Sequence, residues 1–212
     1  MCEKDQYCSL CRKVELDAHC HHALLCSHEA MPTKRHNEIT RLFVKTAREG
    51  ALSVSYEVTY QHSAERTYRA DFVLAHGVPG KTKGTTGFDV TLTNTTAGYV
   101  VGRAARKDLG AALAGEDRKI RECKEELAKL GIDFCPIAFE VTGGHSPVVE
   151  EVVHYLVDQQ SIMTGIPFSE LVTRFWQLAS IKIWSANAYA VTRCRTEILH
   201  RDDLSEEDDL GA

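Results

Sequence analysis

The sequence predicts an α/β fold: a mixed sheet flanked by helices, preceded by a small knuckle rich in cysteine and histidine. Three observations carry this reading. Three short stretches with strand character follow one another between residues 52 and 94, separated by turn-forming residues. A long helical stretch then leads to a fourth, more apolar strand. Five of the eight cysteines (Cys2, Cys8, Cys11, Cys20 and Cys26) crowd the first 26 residues.

Residues 1–31 are short of aliphatic side chains and cannot form a core unaided. A secreted disulfide scaffold would spread its cysteines, so metal binding is the better account of this cluster. Cys8-Ser9-Leu10-Cys11 is followed by His19-Cys20-His21-His22 and by Cys26. Zinc favours four thiolate or imidazole ligands at the corners of a tetrahedron. The predicted set is Cys8, Cys11, His22 and Cys26 around a structural Zn²⁺, with His21 and Cys20 as alternatives for the third ligand. All four positions are filled, leaving no place for a catalytic water. Ala23-Leu24-Leu25 offers an apolar side for docking.

Pro32 opens a helix whose inward stripe is Ile39, Leu42, Phe43, Thr46 and Ala47. Lys34, Arg35, Arg41, Lys45 and Arg48 fall on its other faces, and Gly50 ends it. Residues 52–61 (LSVSYEVTYQ) alternate with period two and read as a strand. Residues 68–75 and 87–94 are the next two, joined through Gly77-Val78-Pro79-Gly80. Residues 103–130 read as one helix with Leu109, Leu113, Ile120, Leu127 and Leu130 inward. Gly110 and Gly115 weaken its first half, and Gly131 closes it. Residues 132–141 (IDFCPIAFEV) form a fourth strand, apolar enough to lie centrally. Helices over 147–160 and 169–193 complete the domain. The second carries Phe168, Leu171, Val172, Phe175, Trp176, Leu178 and Ile181 on a packed stripe that Trp184 and Tyr189 extend. Three strands in a meander, a crossover helix and a fourth strand in the same sheet follow from this order. The predicted units are the knuckle (1–31), the α/β domain (32–200) and an acidic disordered tail (201–212).

The formal net charge of -5 is unevenly placed. Six acids lie in residues 202–209 (DDLSEEDD), and the remainder carries +1. A run of like charge at a terminus reads as a solvated tail. The near-neutral body neither demands nor excludes a polyanionic partner. No run of 18 apolar residues occurs, which argues against a membrane span, and the polar first residues are no secretory signal. A nuclear or cytoplasmic location is the expectation, not secretion.

The most informative feature is a pair of aspartates on neighbouring strands. Asp71 sits in Arg69-Ala70-Asp71-Phe72-Val73-Leu74, and Asp89 in Phe88-Asp89-Val90-Thr91-Leu92-Thr93. Asp89, Thr91 and Thr93 share one strand face, and Phe88, Val90 and Leu92 the other. Two carboxylates on paired strands can share one Mg²⁺ or Mn²⁺, which lowers the pKa of a bound water and stabilises charge on a phosphorane. A nearby lysine would complete such a catalytic set. None stands two residues after Asp89, so it must come from the following helix, where Lys119 is preferred to Lys124. Glu57 on the first strand is a candidate for a further carboxylate.

Taken together, these elements resemble the restriction-enzyme-like endonuclease tail of non-LTR retrotransposons, itself similar in fold to PD-(D/E)XK nucleases. The resemblance rests on the C-x2-C…H-x3-C knuckle, Arg35-His36-Asn37, Arg69-Ala70-Asp71, Asp89-Val90-Thr91, and Ala138-Phe139-Glu140-Val141-Thr142-Gly143-Gly144. It runs from about Cys8 to Arg193, and residues 181–193 look like the closing helix of such tails. The family usually has proline before the first aspartate, where this chain has Ala70. The resemblance implies a restriction-endonuclease-like fold and Asp71 and Asp89 as metal ligands. It also implies DNA, or RNA, as the partner. Arg35, Arg41 and Lys45 are then the candidate phosphate contacts, with His36 and Asn37 beside the cleft. Hydrolytic nicking of DNA by a retroelement-derived endonuclease is the expected activity. A nucleic-acid-binding module that has lost catalysis is the alternative. The chain carries no YxDD polymerase motif.

Overall fold

The computed structural model describes residues 7–17, 19–26, 28, 31–61 and 67–205. Cys2 and residues 206–212 of the predicted acidic tail lie outside them. Its elements are α1 (His21–Leu25), α2 (Met31–Glu49), β1 (Val54–Gln61), β2 (Thr67–Leu74), β3 (Thr86–Thr93), α3 (Val101–Ala104), α4 (Gly110–Ala128), β4 (Asp133–Glu140), α5 (Pro147–Thr164) and α6 (Phe168–Ser205). The last helix therefore runs into the segment read as tail. The sheet order is β1-β2-β3-β4. The first two pairings are antiparallel and β3–β4 is parallel. A parallel pair needs a crossover, and α4 supplies it.

β4 was predicted central and stands instead at the sheet edge. Its apolar run has another cause: both faces are covered. Ile137 and Phe139 face the main core, while α4 packs over the opposite side. The main core lies between the sheet and α2, α5 and α6. Phe43 touches the rings of Phe72, Phe139 and Phe175 at centroid distances of 6.0, 6.3 and 5.2 Å, and Phe72 stacks on Phe88 at 4.5 Å. Each such buried side chain contributes about 1.5–3 kcal/mol by leaving water. The predicted stripe of α2 is buried in full. Among the described residues, no helix is long and apolar enough to cross a membrane.

Two predicted helical stripes need correction. The 103–130 helix is broken at Leu109, which adopts φ +58°. Only Leu127 of its five inward leucines and isoleucine is fully buried. Leu109, Leu113 and Ile120 are half-buried and Leu130 is exposed. The face that meets the sheet is small: Ala111, Ala112, Gly115, Cys123 and Leu127. A Cβ on Gly115 would stand 2.6 Å from Thr93 Oγ1 and 3.2 Å from Thr91 Cγ2. The glycine thus lets the α4 backbone lie directly on β3. In α6 the buried line runs Leu171, Phe175, Ala179, Ile183, Ala186, Ala190 and Cys194, whereas Ile181, Trp184 and Tyr189 are exposed. Past residue 178 the inward face is carried by Ile183 and by three alanines, Ala179, Ala186 and Ala190.

The β1–β2 pair rolls over at one point. Glu57 adopts φ +51° and stands opposite Asp71, where the ladder skips a pair. On one side of this point Tyr56 and Phe72 belong to the main core. On the other, Tyr60 and Tyr68 pack with Cys123, Leu127 and Phe134 beneath α4. The roll places Asp71 where the sheet changes faces.

Candidate functional site

The knuckle gathers the four predicted ligands. One ligand atom from each of Cys8, Cys11, His22 and Cys26 lies within 4.8 Å of the others. Cys8 Sγ and Cys26 Sγ are 3.9 Å apart, and Cys11 Sγ and His22 Nε2 are 3.2 Å apart. Four ligand atoms bound tetrahedrally to one zinc stand about 3.3–3.8 Å from one another, given Zn–S and Zn–N lengths of about 2.3 and 2.0–2.1 Å. The donor set therefore fits Zn²⁺. The alternatives fall away for local reasons. His21 Nδ1 lies 3.3 Å from Asp17 Oδ1, the carboxylate that also accepts from the His19 and His22 backbone N–H groups. Cys20 is buried outside the set.

Burial and the neighbouring Cys8 push the Cys26 thiol up to about 11. Burial also opposes ionisation of Cys11, but hydrogen bonds from the Lys13 backbone, His22 and Cys8 outweigh it and bring that thiol down to about 6. The knuckle borrows its remaining apolar contacts from α6. Leu10, Leu16 and Ala23 cluster with Ala190 and Cys194. Ser9 Oγ donates to the Cys194 carbonyl at 2.7 Å, and Cys194 Sγ lies 3.6 Å from Cys8 Sγ. Of the three predicted docking residues only Ala23 is deeply buried, and Leu25 is exposed.

Asp71 and Asp89, both 7% exposed, line one cavity of about 440 Å³. The register pairs Phe72 with Phe88 and Val73 with Gly87. Carried one residue further, it sets Asp71 opposite Asp89, but pairing stops there. Side chains then serve the backbone groups of β3. The Val90 N–H donates to Asp71 Oδ2 at 2.6 Å, and the Val90 carbonyl faces His36 Nδ1 at 2.9 Å. His36 Nε2 lies 3.0 Å from Asp71 Oδ1. Both ring nitrogens therefore face oxygen acceptors, which only the imidazolium satisfies. Burial opposes that charge, but the hydrogen bond and charge of Asp71 outweigh it and hold His36 above the usual histidine range.

Lys119 Nζ stands 2.9 Å from Asp89 Oδ2, so the lysine preferred from the sequence reaches the second acid. Burial pushes Asp89 above the usual carboxylate range, with Asp71 adding to the effect and Lys119 opposing it. Burial also disfavours charged Lys119, yet Asp89 prevails and holds it up. The ion pair favours both charged forms, and desolvation beside a second carboxylate overrides that preference at Asp89. Two acids thus face two cations, His36 and Lys119. Among the described residues no second group of three histidine, cysteine or carboxylate side chains is gathered as closely as the knuckle. Glu57 is exposed and does not line the cavity.

The predicted polynucleotide contacts separate. Asn37 lines the cavity beside His36. Arg35 was expected on an outer face of α2 and is instead 3% exposed. Its Nη1 donates to Asn187 Oδ1 at 2.8 Å and its Nη2 to the Leu24 carbonyl at 2.6 Å, while Asn187 Nδ2 donates to the Val141 carbonyl. It pins the knuckle, α2, α6 and the end of β4 together, and both ends of its fork are taken. Arg41 and Lys45 are exposed but lie along the outside of α2 with Arg48 and Tyr56, away from the aspartates. They pair with Glu38 and Glu49.

Sequence reasoning missed two cations that line the cavity alongside the predicted Arg35 and Lys119: Arg69 on β2 and Arg118 on α4. Arg118 and Lys119 stand three and four residues after Gly115, hence on the same helix face, and that spacing was the available signal. It also missed the role of Glu140, whose buried carboxylate accepts the Ala111 and Ala112 N–H groups at the α4 N-terminus. A carboxylate there satisfies orphan donors and suits the helix dipole. Comparison with known proteins gives no matching family, and no curated protein or solved structure is found to be similar to the chain.

Proposed function

We propose that the protein is a divalent-metal-dependent endonuclease that hydrolyses phosphodiester bonds in DNA. In this reading it is a retroelement-derived, restriction-endonuclease-like domain with a structural zinc knuckle. The observation that carries the reading is the convergence of Asp71, Asp89 and Lys119 in one cavity. Carboxylate oxygens are hard ligands suited to Mg²⁺ or Mn²⁺. Such an ion, held by Asp71 and Asp89, would supply a water of lowered pKa and charge stabilisation at the phosphorus.

The chain's own groups have distinct tasks. His36 and the Val90 N–H fix the orientation of the Asp71 carboxylate. Lys119 places an ammonium beside Asp89, where it offsets the negative charge that grows on the phosphoryl oxygens as water adds and the ester P–O bond breaks. Arg69 and Arg118 add positive charge to a cavity whose acids are already matched.

One observation favours a second reading, a nucleic-acid-binding module without catalysis. Asp71 has both oxygens engaged by the protein and Asp89 is engaged by Lys119, so the set is satisfied without a divalent ion. Nicking of supercoiled plasmid in Mg²⁺ or Mn²⁺ separates the two. Asp89→Ala and Lys119→Ala are expected to lower the nicking rate by at least about 100-fold, the scale for removing a group that stabilises transition-state charge. Wild-type protein that retards DNA in a gel yet never nicks it would establish the second reading.

A further inference from the structure

The cavity holds an arginine that its acids do not use. Arg118 Nη2 donates to Thr91 Oγ1 at 3.3 Å, so this donor meets a neutral oxygen rather than either cavity acid. Among the described residues its Nε is buried without a hydrogen-bond partner, and its ion pair with Glu122, one turn along the same helix and outside the cavity lining, is long at 4.0 Å. A guanidinium carries five N–H donors in a planar fork suited to phosphate oxygens. Arg69 rises on the β2 side of the same cavity, without an acidic partner among the described residues.

The placement of Arg118 follows from the register between α4 and β3. Asp89 and Thr91 are successive residues on one face of β3, about 6.6–6.8 Å apart along the strand. Lys119 reaches Asp89 and Arg118 reaches Thr91. Adjacent residues of one helix therefore deliver two cations to successive positions of one strand. The Asp89 position holds a cation and an acid. The Thr91 position holds a cation and a hydroxyl, and so suits an anion.

We infer that Arg118, aimed by Thr91, binds the phosphate next to the one that Asp71, Asp89 and Lys119 engage, so that the ligand of this cavity is a polynucleotide strand rather than a lone phosphate ester. This rests on the proposed reading only in placing nucleic acid in the cavity; it does not require cleavage. The spacing of the two positions is of the order of one nucleotide step along a sugar-phosphate backbone. Arg118 bears the charge and Thr91 the orientation, so their losses differ in kind.

The test is a salt titration of full-length protein binding a fluorescent oligonucleotide, without added Mg²⁺ or Mn²⁺ so that the strand stays intact. Arg118→Ala is expected to lower the slope of log affinity against log salt by about one, the signature of one lost phosphate contact. Arg118→Lys should restore most of that slope, and Thr91→Val should weaken binding while keeping it. In nicking assays Arg118→Ala should raise KM and leave kcat near wild type. A wild-type slope in folded Arg118→Ala, or a wild-type protein that binds no oligonucleotide, overturns the inference. Nicking by wild type together with an unchanged slope in Arg118→Ala sinks this assignment and spares the nuclease reading. A reduced slope without any nicking does the reverse.

Discussion

The knuckle and the aspartate cavity are both built from groups that hold charge, and they are built in opposite ways. The knuckle draws its four ligands from residues 8 to 26, and their ligand atoms converge without reference to the sheet. The cavity draws on α2, β2, β3 and α4, from Pro32 to Lys119. The knuckle is a closed set: its four ligand atoms suffice for one tetrahedral ion and would leave no open position on it. The cavity is open: Arg118 turns an Nη donor to Thr91 rather than to either aspartate, and Arg69 has no acidic partner among the described residues. A closed ligand set stabilises a fold, whereas an open set with surplus donors receives a ligand. The difference lies in the number of unmet partners, not in residue type.

The largest effect that would break this contrast concerns zinc. Structural zinc contributes about 10–16 kcal/mol to the folding of small zinc modules. The purified protein should carry one zinc per chain by elemental analysis, and Cys26→Ser should lose it. Cys26→Ser should also release the knuckle from α6, seen as protease cleavage within residues 7–28, while the sheet keeps its cooperative melt. A metal-free protein that resists protease equally well would remove the closed site from the comparison.

Arg35 sharpens the contrast, because it lines the cavity and reaches the knuckle while its Nη donors are taken by Asn187 and the Leu24 carbonyl. Arg35→Ala removes two charge-assisted hydrogen bonds and strands the Asn187 and Leu24 oxygens, at a cost of about 3–5 kcal/mol. Urea unfolding should show that loss, and the salt slope of DNA binding should stay as in wild type. A reduced slope with unaltered stability would return Arg35 to the phosphate contacts.

The smallest effect is one of pH. The folded-state pKa of His36 lies above its unfolded value of about 6.5. The folded protein therefore holds this proton more tightly. Its contribution to stability is fully present below about pH 6.5 and is lost as pH rises through the folded-state pKa. The urea midpoint of wild type should fall across that window relative to His36→Gln, in which the difference should vanish. Parallel pH profiles for the two proteins would show that the Asp71–His36 contact carries no such linkage.

Much of the fold was legible because local patterns and core demands agreed. The α2 stripe, the period-two alternation of β1 and the glycine and proline turns each pointed one way, and the crossover followed from connection rules. The ligands of the knuckle were legible because a C-x2-C turn sets its own geometry. Lys119 was legible only as one of two lysines on the right helix. Arg118 and Glu140 were not, because their partners lie 27 to 29 residues away on other elements. Arg35 and Trp184 misled for a related reason: an arginine can be buried where carbonyls await it, and a tryptophan can face water where alanines fill the interface.

The sequence by itself determined the order of the main helices and strands, which four residues can gather on a metal such as zinc, and that two acids lie on neighbouring strands. Tertiary structure decided what those acids face. The close approach of α4 to β3 at Gly115 sets Lys119 against Asp89 and Arg118 against Thr91, and the roll of β2 at Asp71 brings His36 to the first acid. Such pairings depend on the distance between packed backbones, which is fixed by side-chain volume at the contact and is written in no single segment of the chain.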